Sequence, residues 1–150
     1  MEAALAHAHE AMDRGLMPLV LHSAFDAWLL GIPYRRMLAI CFCCDCCCSV
    51  RHGLRLGPPV FWDTVVRLPG LSLSVGAHCT GCGLCLEGCY VGAISLTEGQ
   101  ARIGESCKGC GRCASLCPSE AITLHIDSED LLLAQLLGRI EARTQIGSLV

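Results

Sequence analysis

CTGCGLCLEGC at residues 79–89 and CKGCGRCASLC at residues 107–117 are two copies of one pattern. Cys79, Cys82, Cys85 and Cys89 recur as Cys107, Cys110, Cys113 and Cys117, each 28 residues further on. The copying runs past the thiols, because Gly81 and Gly83 match Gly109 and Gly111, and Ala93-Ile94 matches Ala121-Ile122 at the same offset. Four matched cysteines with matched flanks indicate a duplicated structural unit.

Each copy reads Cys-x2-Cys-x2-Cys-x3-Cys, the spacing of bacterial iron-sulfur ligation, in which the fourth cysteine of one run serves the other cluster. A cubane needs four thiolates at tetrahedral corners. Three closely spaced cysteines cap one face, and the chain then leaves in a helix pointing away, so the fourth corner comes from elsewhere. The expected ligands are therefore Cys79, Cys82, Cys85 and Cys117 for one [4Fe-4S] cluster, and Cys107, Cys110, Cys113 and Cys89 for a second. Glycines between the thiols let the backbone close on the sulfurs. Zinc sites and a disulfide framework are the alternatives, but zinc knots use two Cys-x2-Cys pairs rather than a triple with a trailing fourth.

On these motifs, residues 73–126 resemble the clostridial-type dicluster ferredoxins, a family of low-potential electron carriers and electron-transfer subunits. The resemblance implies an α+β, pseudo-twofold module of two β-hairpins and two short helices, with its clusters close enough to exchange electrons. Leu73 to Ala77 and Ala121 to Ile126 read as outer strands, and Ala93 to Leu96 and Ala101 to Ile103 flank a turn at Glu98-Gly99-Gln100. The family's proline after the fourth cysteine is kept as Pro118, whereas Tyr90 replaces it beside Cys89. Tyr90 reads as a core aromatic with its tip at solvent, and His78 as a solvent-edge residue, since thiolates already fill the corners.

Composition narrows the function. The 150 residues hold 14 cysteines, and 11 basic against 14 acidic side chains give a formal charge of -3. With aromatics at 5 %, neither a basic stripe nor a set of stacking platforms points to nucleic acid. Residues 1–15 lack the basic start of an export signal, and the apolar runs Leu16 to Leu21 and Met37 to Cys44 fall short of the roughly 20 residues of a membrane helix. A reducing cytoplasm is the expected location, where thiols serve as metal ligands rather than bridges.

Cys41, Cys43, Cys44, Cys46, Cys47 and Cys48 crowd into eight further residues. Neighbouring cysteines on an extended chain point to opposite faces and seldom bridge, which leaves a third metal centre, iron-sulfur or zinc, reactive thiols, or small core residues. With Met37 to Cys43 as a strand, Cys41 and Cys43 share a face, and Cys44 to Cys48 turn into a loop or helix. The string from Ile40 to Cys48 also resembles a cysteine-dense segment that precedes the ferredoxin module in larger 4Fe-4S dicluster proteins, with Phe42 where those have asparagine.

The remainder divides into an N-terminal α/β segment (1–70), the ferredoxin module (71–127) and a C-terminal helix (128–150). A helix over 2–14 ends at Gly15, short strands follow at Leu19 to His22 and Met37 to Cys41, and Gly57-Pro58-Pro59 and Pro69-Gly70 break the chain. His7, His9, His22 and His52 read as surface or packing residues. Ser128 caps the last helix, with Glu129 and Asp130 in its first turn and Arg139 and Arg143 near its other end. Its stripe of Leu132, Leu133, Leu136, Leu137 and Ile140 is a seam against the protein's own core or against a partner subunit. The expected activity is one-electron transfer to redox partner proteins, without membrane insertion. The alternatives are a redox enzyme component, or a metal or redox sensor, working through Cys41 to Cys48.

Overall fold

The computed structural model describes residues 2–44 and 46–145. The sequence divides into two compact units, one made of residues 1–44 with 130–150 and the other of residues 45–129. Asp45, inside the cysteine-dense string, and the last five residues of the C-terminal segment lie outside the described residues.

In the first unit, helix α1 (Glu2–Asp13) precedes strand β1 (Met17–Leu21). Gly15 ends the helix in the left-handed region (φ 76°), and the amides of Gly15 and Leu16 reach back to the carbonyls of Met12 and Ala11. β1 pairs antiparallel with β2 (Ala39–Cys43), Met17 opposite Cys43 and Leu21 opposite Ala39. Both strands differ from the expected bounds for a local reason. His22 leaves the ladder to stack on Tyr34 (3.9 Å between rings), and Met37 closes a 3-10 turn over Tyr34–Arg36 before the second strand begins.

Between the two strands the chain makes an excursion that the sequence did not announce. Helix α2 (Ala24–Leu30) starts at Ser23, whose hydroxyl accepts the Asp26 amide, and stops at Gly31 in the left-handed region (φ 64°). Ala11, Met17, Ala27, Met37 and Cys43 are the unit's buried hydrophobic residues, and His7 meets the ring of Phe42 edge-on. Helix α6 (Glu129–Arg143) begins directly after Ser128. Leu132, Leu136, Leu137 and Ile140 are half-buried, whereas Leu133 is exposed and falls outside the seam. Beyond the helix, the Gln145 amide donates to the Arg35 carbonyl.

The second unit opens with helix α3 (Ser49–Leu56), stopped at the expected Gly57-Pro58-Pro59 breaker and followed by a 3-10 turn over Pro59–Thr64. Strand β3 (Leu71–Val75), helix α4 (Leu84–Gly88) and strand β4 (Ile94–Thr97) come next. Strand β5 (Gln100–Ile103), helix α5 (Arg112–Ser115) and strand β6 (Ile122–Ile126) repeat that order. β3 pairs antiparallel with β6, and β4 with β5 through a two-residue turn at Glu98 and Gly99 (φ 53° and 75°). Positive φ at both turn positions matches the twist of the flanking strands. Cys85, Ala101, Cys113 and Ile122 are the buried centre, with Leu73, Val75, Ile94 and Ile103 packed around them. The fold is α+β. Among the described residues no helix is long and apolar enough to cross a membrane.

Candidate iron-sulfur site

The duplication in sequence is a duplication in backbone. Gly81 and Gly109 (φ 69° and 72°) and Gly83 and Gly111 (φ 83° and 75°) lie in the left-handed region, which a side chain resists. The amides of Gly76 and Gly104 each donate at 2.7 Å to the carbonyls of Ala121 and Ala93, tying the start of one copy to the end of the other. The amides of Leu86 and Ala114 both reach back 2.9 Å to Gly83 and Gly111.

This backbone delivers the sulfurs in matching environments. Cys79 and Cys107 are half-buried, Cys82 and Cys110 exposed, Cys85 and Cys113 buried at 7 % exposure each, and Cys89 and Cys117 half-buried. Cys79, Cys82, Cys85 and Cys117 line one cavity, open at its mouth and walled by Gly81, Gly83, Leu96, Ala101 and Ile122. Three of those thiols belong to the first copy and one to the second. Around Cys113 the neighbouring sulfurs are Cys110, Cys107 and Cys89, again three of one copy and one of the other.

Charge and hydrogen bonding fit these sulfurs to iron. Burial, together with the neighbouring sulfurs of Cys110, Cys107 and Cys89, pushes the Cys113 thiol up to about 12. Burial likewise pushes Cys85 up, its backbone amide offsets part of that, and Cys79 and Cys82 add to the rise. Such thiols ionise when a cation takes the place of the proton. Backbone amides already point at the sulfur positions: Ala93 to Cys89 and Ala121 to Cys117 at 3.3 Å, Ala101 to Cys79 and Gly109 to Cys107 at 3.4 Å. Thiolate donors with amides aimed at them are the set a [4Fe-4S] cluster takes.

The copies differ beside the fourth cysteine. After Cys117, Pro118 is exposed and the Ser119 hydroxyl lies 3.5 Å from the sulfur. That contact leads in holding Cys117 below the ordinary thiol range, against a smaller opposing effect of burial and with help from the Ala121 amide. After Cys89, Tyr90 and Val91 are both buried at 4 % exposure. Tyr90 therefore does not present its tip to solvent. Arg51, itself 7 % exposed, lays its guanidinium 5.8 Å from the centre of the Tyr90 ring and donates to the Gly88 carbonyl at 3.5 Å. Ser119 could have been found by asking which flanks break the repeat, since its counterpart is Val91. Arg51 lies outside the repeat and carries no such signal.

The second cysteine segment is placed in pieces. Cys41 and Cys43 share one face of β2, with their sulfurs 3.6 Å apart, and Cys44 follows half-buried. Cys46 and Cys47 are exposed with sulfurs 3.7 Å apart, and half-buried Cys48 stands at the start of α3. His52 lies 3.5 Å from the Cys46 carbonyl, His78 is exposed beside Cys79, and His9 is exposed on α1.

No curated protein and no solved structure gives a significant match to the chain. The match with a known family falls where the cavity and the repeated backbone lie: residues 78–121 match the 4Fe-4S dicluster domain, and residues 41–48 add a second cysteine-rich segment to it.

Proposed function

We propose that this chain transfers single electrons through two [4Fe-4S] clusters held in a ferredoxin-type, pseudo-twofold module at residues 71–127, as a carrier or as the electron-transfer subunit of a redox complex. The observation that carries the reading is the shared cavity, in which Cys117 of one copy joins Cys79, Cys82 and Cys85 of the other. Cys107, Cys110, Cys113 and Cys89 form the corresponding set. A cubane when bound supplies a one-electron couple whose potential follows burial, charge and hydrogen bonds to sulfur. The chain's part is to fix the thiolates, to aim amides at them and to keep water from Cys85 and Cys113. Thiolate-ligated clusters add negative charge to a chain of formal charge -3, which favours basic docking patches on redox partners in the cytoplasm. The exposed leucines of α6, Leu131 and Leu133, give a partner subunit a place to pack.

Anaerobic reconstitution followed by iron and sulfide analysis and paramagnetic resonance tests this reading. About eight irons per chain and two interacting reduced centres are expected. A protein that stays colourless and free of iron overturns it.

A second reading follows from the close sulfur pairs Cys41–Cys43 and Cys46–Cys47. They give residues 41–48 a third metal centre, serving a redox enzyme component or a metal sensor. About twelve irons, or zinc beside about eight, would mark it. Unchanged metal content in a Cys43→Ser, Cys44→Ser variant would remove it.

A further inference from the structure

The excursion between β1 and β2 spans residues 22–38 and carries helix α2 and the 3-10 turn over Tyr34–Arg36. From Trp28 to Arg36 every residue is exposed: Trp28, Leu29, Leu30, Gly31, Ile32, Pro33, Tyr34, Arg35 and Arg36. Trp28 is 76 % exposed, Phe25 66 %, and Leu29 and Leu30 63 % each. Burying these side chains would gain free energy, yet of α2 only Ala27 is buried. The display is held in shape by the Ser23 and Gly31 caps, by the stacking of His22 on Tyr34, and by the bond from the His22 ring to the Tyr34 carbonyl at 2.8 Å.

We infer that this excursion docks the protein on the surface of an anionic lipid bilayer, with no segment crossing it. Two features select a bilayer. Phe25, Trp28 and Leu29 fall at i, i+3 and i+4, so they share one side of the short helix, opposite buried Ala27, and can lie together at the boundary of a bilayer. Trp28 and Tyr34 join an apolar body to a polar tip, as side chains at a headgroup boundary do. Arg35 and Arg36 then supply charge complementarity to acidic headgroups. Neither arginine forms an ion pair with a described residue. The surface lies outside residues 71–127, and the inference stands apart from the electron-transfer reading.

The test is flotation of the reconstituted full chain with vesicles of phosphatidylcholine alone and with about 30 % phosphatidylglycerol. Binding to the anionic vesicles is expected, weakened about tenfold by ~0.5 M salt. It should be lost in Trp28→Ser, Leu29→Ser and reduced about tenfold in Arg35→Glu, Arg36→Glu, with iron content and circular dichroism unchanged in both. Tryptophan emission should shift to the blue on binding, and a Trp28→Phe variant, which retains Trp62, should not show the shift. The inference is overturned if the anionic vesicles leave the protein behind, or if they carry both variants equally. Self-association abolished by the Trp28 and Leu29 changes, without vesicle binding, overturns it in favour of a second copy of the chain.

Discussion

The two copies of the repeat hold their thiols on backbone with matching left-handed glycines and matching hydrogen bonds, yet their fourth cysteines sit in unlike company. Cys117 has an exposed proline and a hydroxyl beside it, while Cys89 has two buried side chains and a buried arginine at the neighbouring carbonyl. Ligand geometry and ligand environment are thus separable: spacing and glycine set the first, and residues with no place in the motif set the second. Because each fourth cysteine is proposed to serve the opposite cluster, the environment of one copy is felt in the cluster of the other.

The largest effect tests that exchange. Cys117→Ser should abolish the cluster of Cys79, Cys82 and Cys85 and leave the one with Cys107, so iron falls from about eight to about four per chain. Cys89→Ser should do the converse, giving the same resonance signature as Cys107→Ser. If Cys89→Ser instead reproduces Cys79→Ser, the exchange is wrong. Next comes a backbone comparison. A Cβ on Gly81 would run into the Gly99 carbonyl, whereas one on Gly109 would meet side chains, Leu71 at 3.3 Å and Arg67 at 3.8 Å, and both positions have positive φ. Gly81→Ala should therefore cost roughly 2–3 kcal/mol and Gly109→Ala about 1–2 kcal/mol in denaturant melts of the reconstituted protein.

Smaller shifts belong to the tuning groups. Arg51→Met should lower the potential of the cluster served by Cys89 by tens of millivolts, on the order of 1 kcal/mol per electron. Ser119→Ala should lower that of the cluster served by Cys117 by less, because it removes one neutral donor and no charge. Redox titration followed by paramagnetic resonance would separate the two, and movement of the same cluster by both changes would break the comparison. The smallest effect is in the metal-free protein. The Cys113 thiol is pushed up from 9.0 to about 12 in the folded chain, so its protonated form favours folding. That contribution is complete below pH 9 and is lost as pH rises toward about 12, which should appear as a lower urea midpoint at high pH and be absent in Cys113→Ala.

Much of the second unit was legible because its signals are local. The offset of 28 residues fixed which elements recur, and Glu98-Gly99 marked the turn. Leu73 to Ala77 marked an outer strand, which in the structure begins and ends two residues earlier, at Leu71–Val75. The end of α1 was equally plain in Gly15. What escaped was set by contacts far along the chain. Tyr90 is buried because Arg51, 39 residues earlier, covers it, and nothing near Tyr90 says so. Helix α2 escaped because its seven residues are shorter than the window over which a helical period can be read.

The pairing of β3 with β6, and of β4 with β5, has a consequence for synthesis on the ribosome. Every strand of this unit finds its partner across the repeat, so a nascent chain that ends near residue 99 exposes two bare edges with nothing of its own to zip against. Two such fragments could satisfy each other by exchanging strands between chains. Translation must therefore run past Ile126 before the earlier copy can close, and the proposed ligands Cys79, Cys82, Cys85 and Cys117 come together only when both copies have been made.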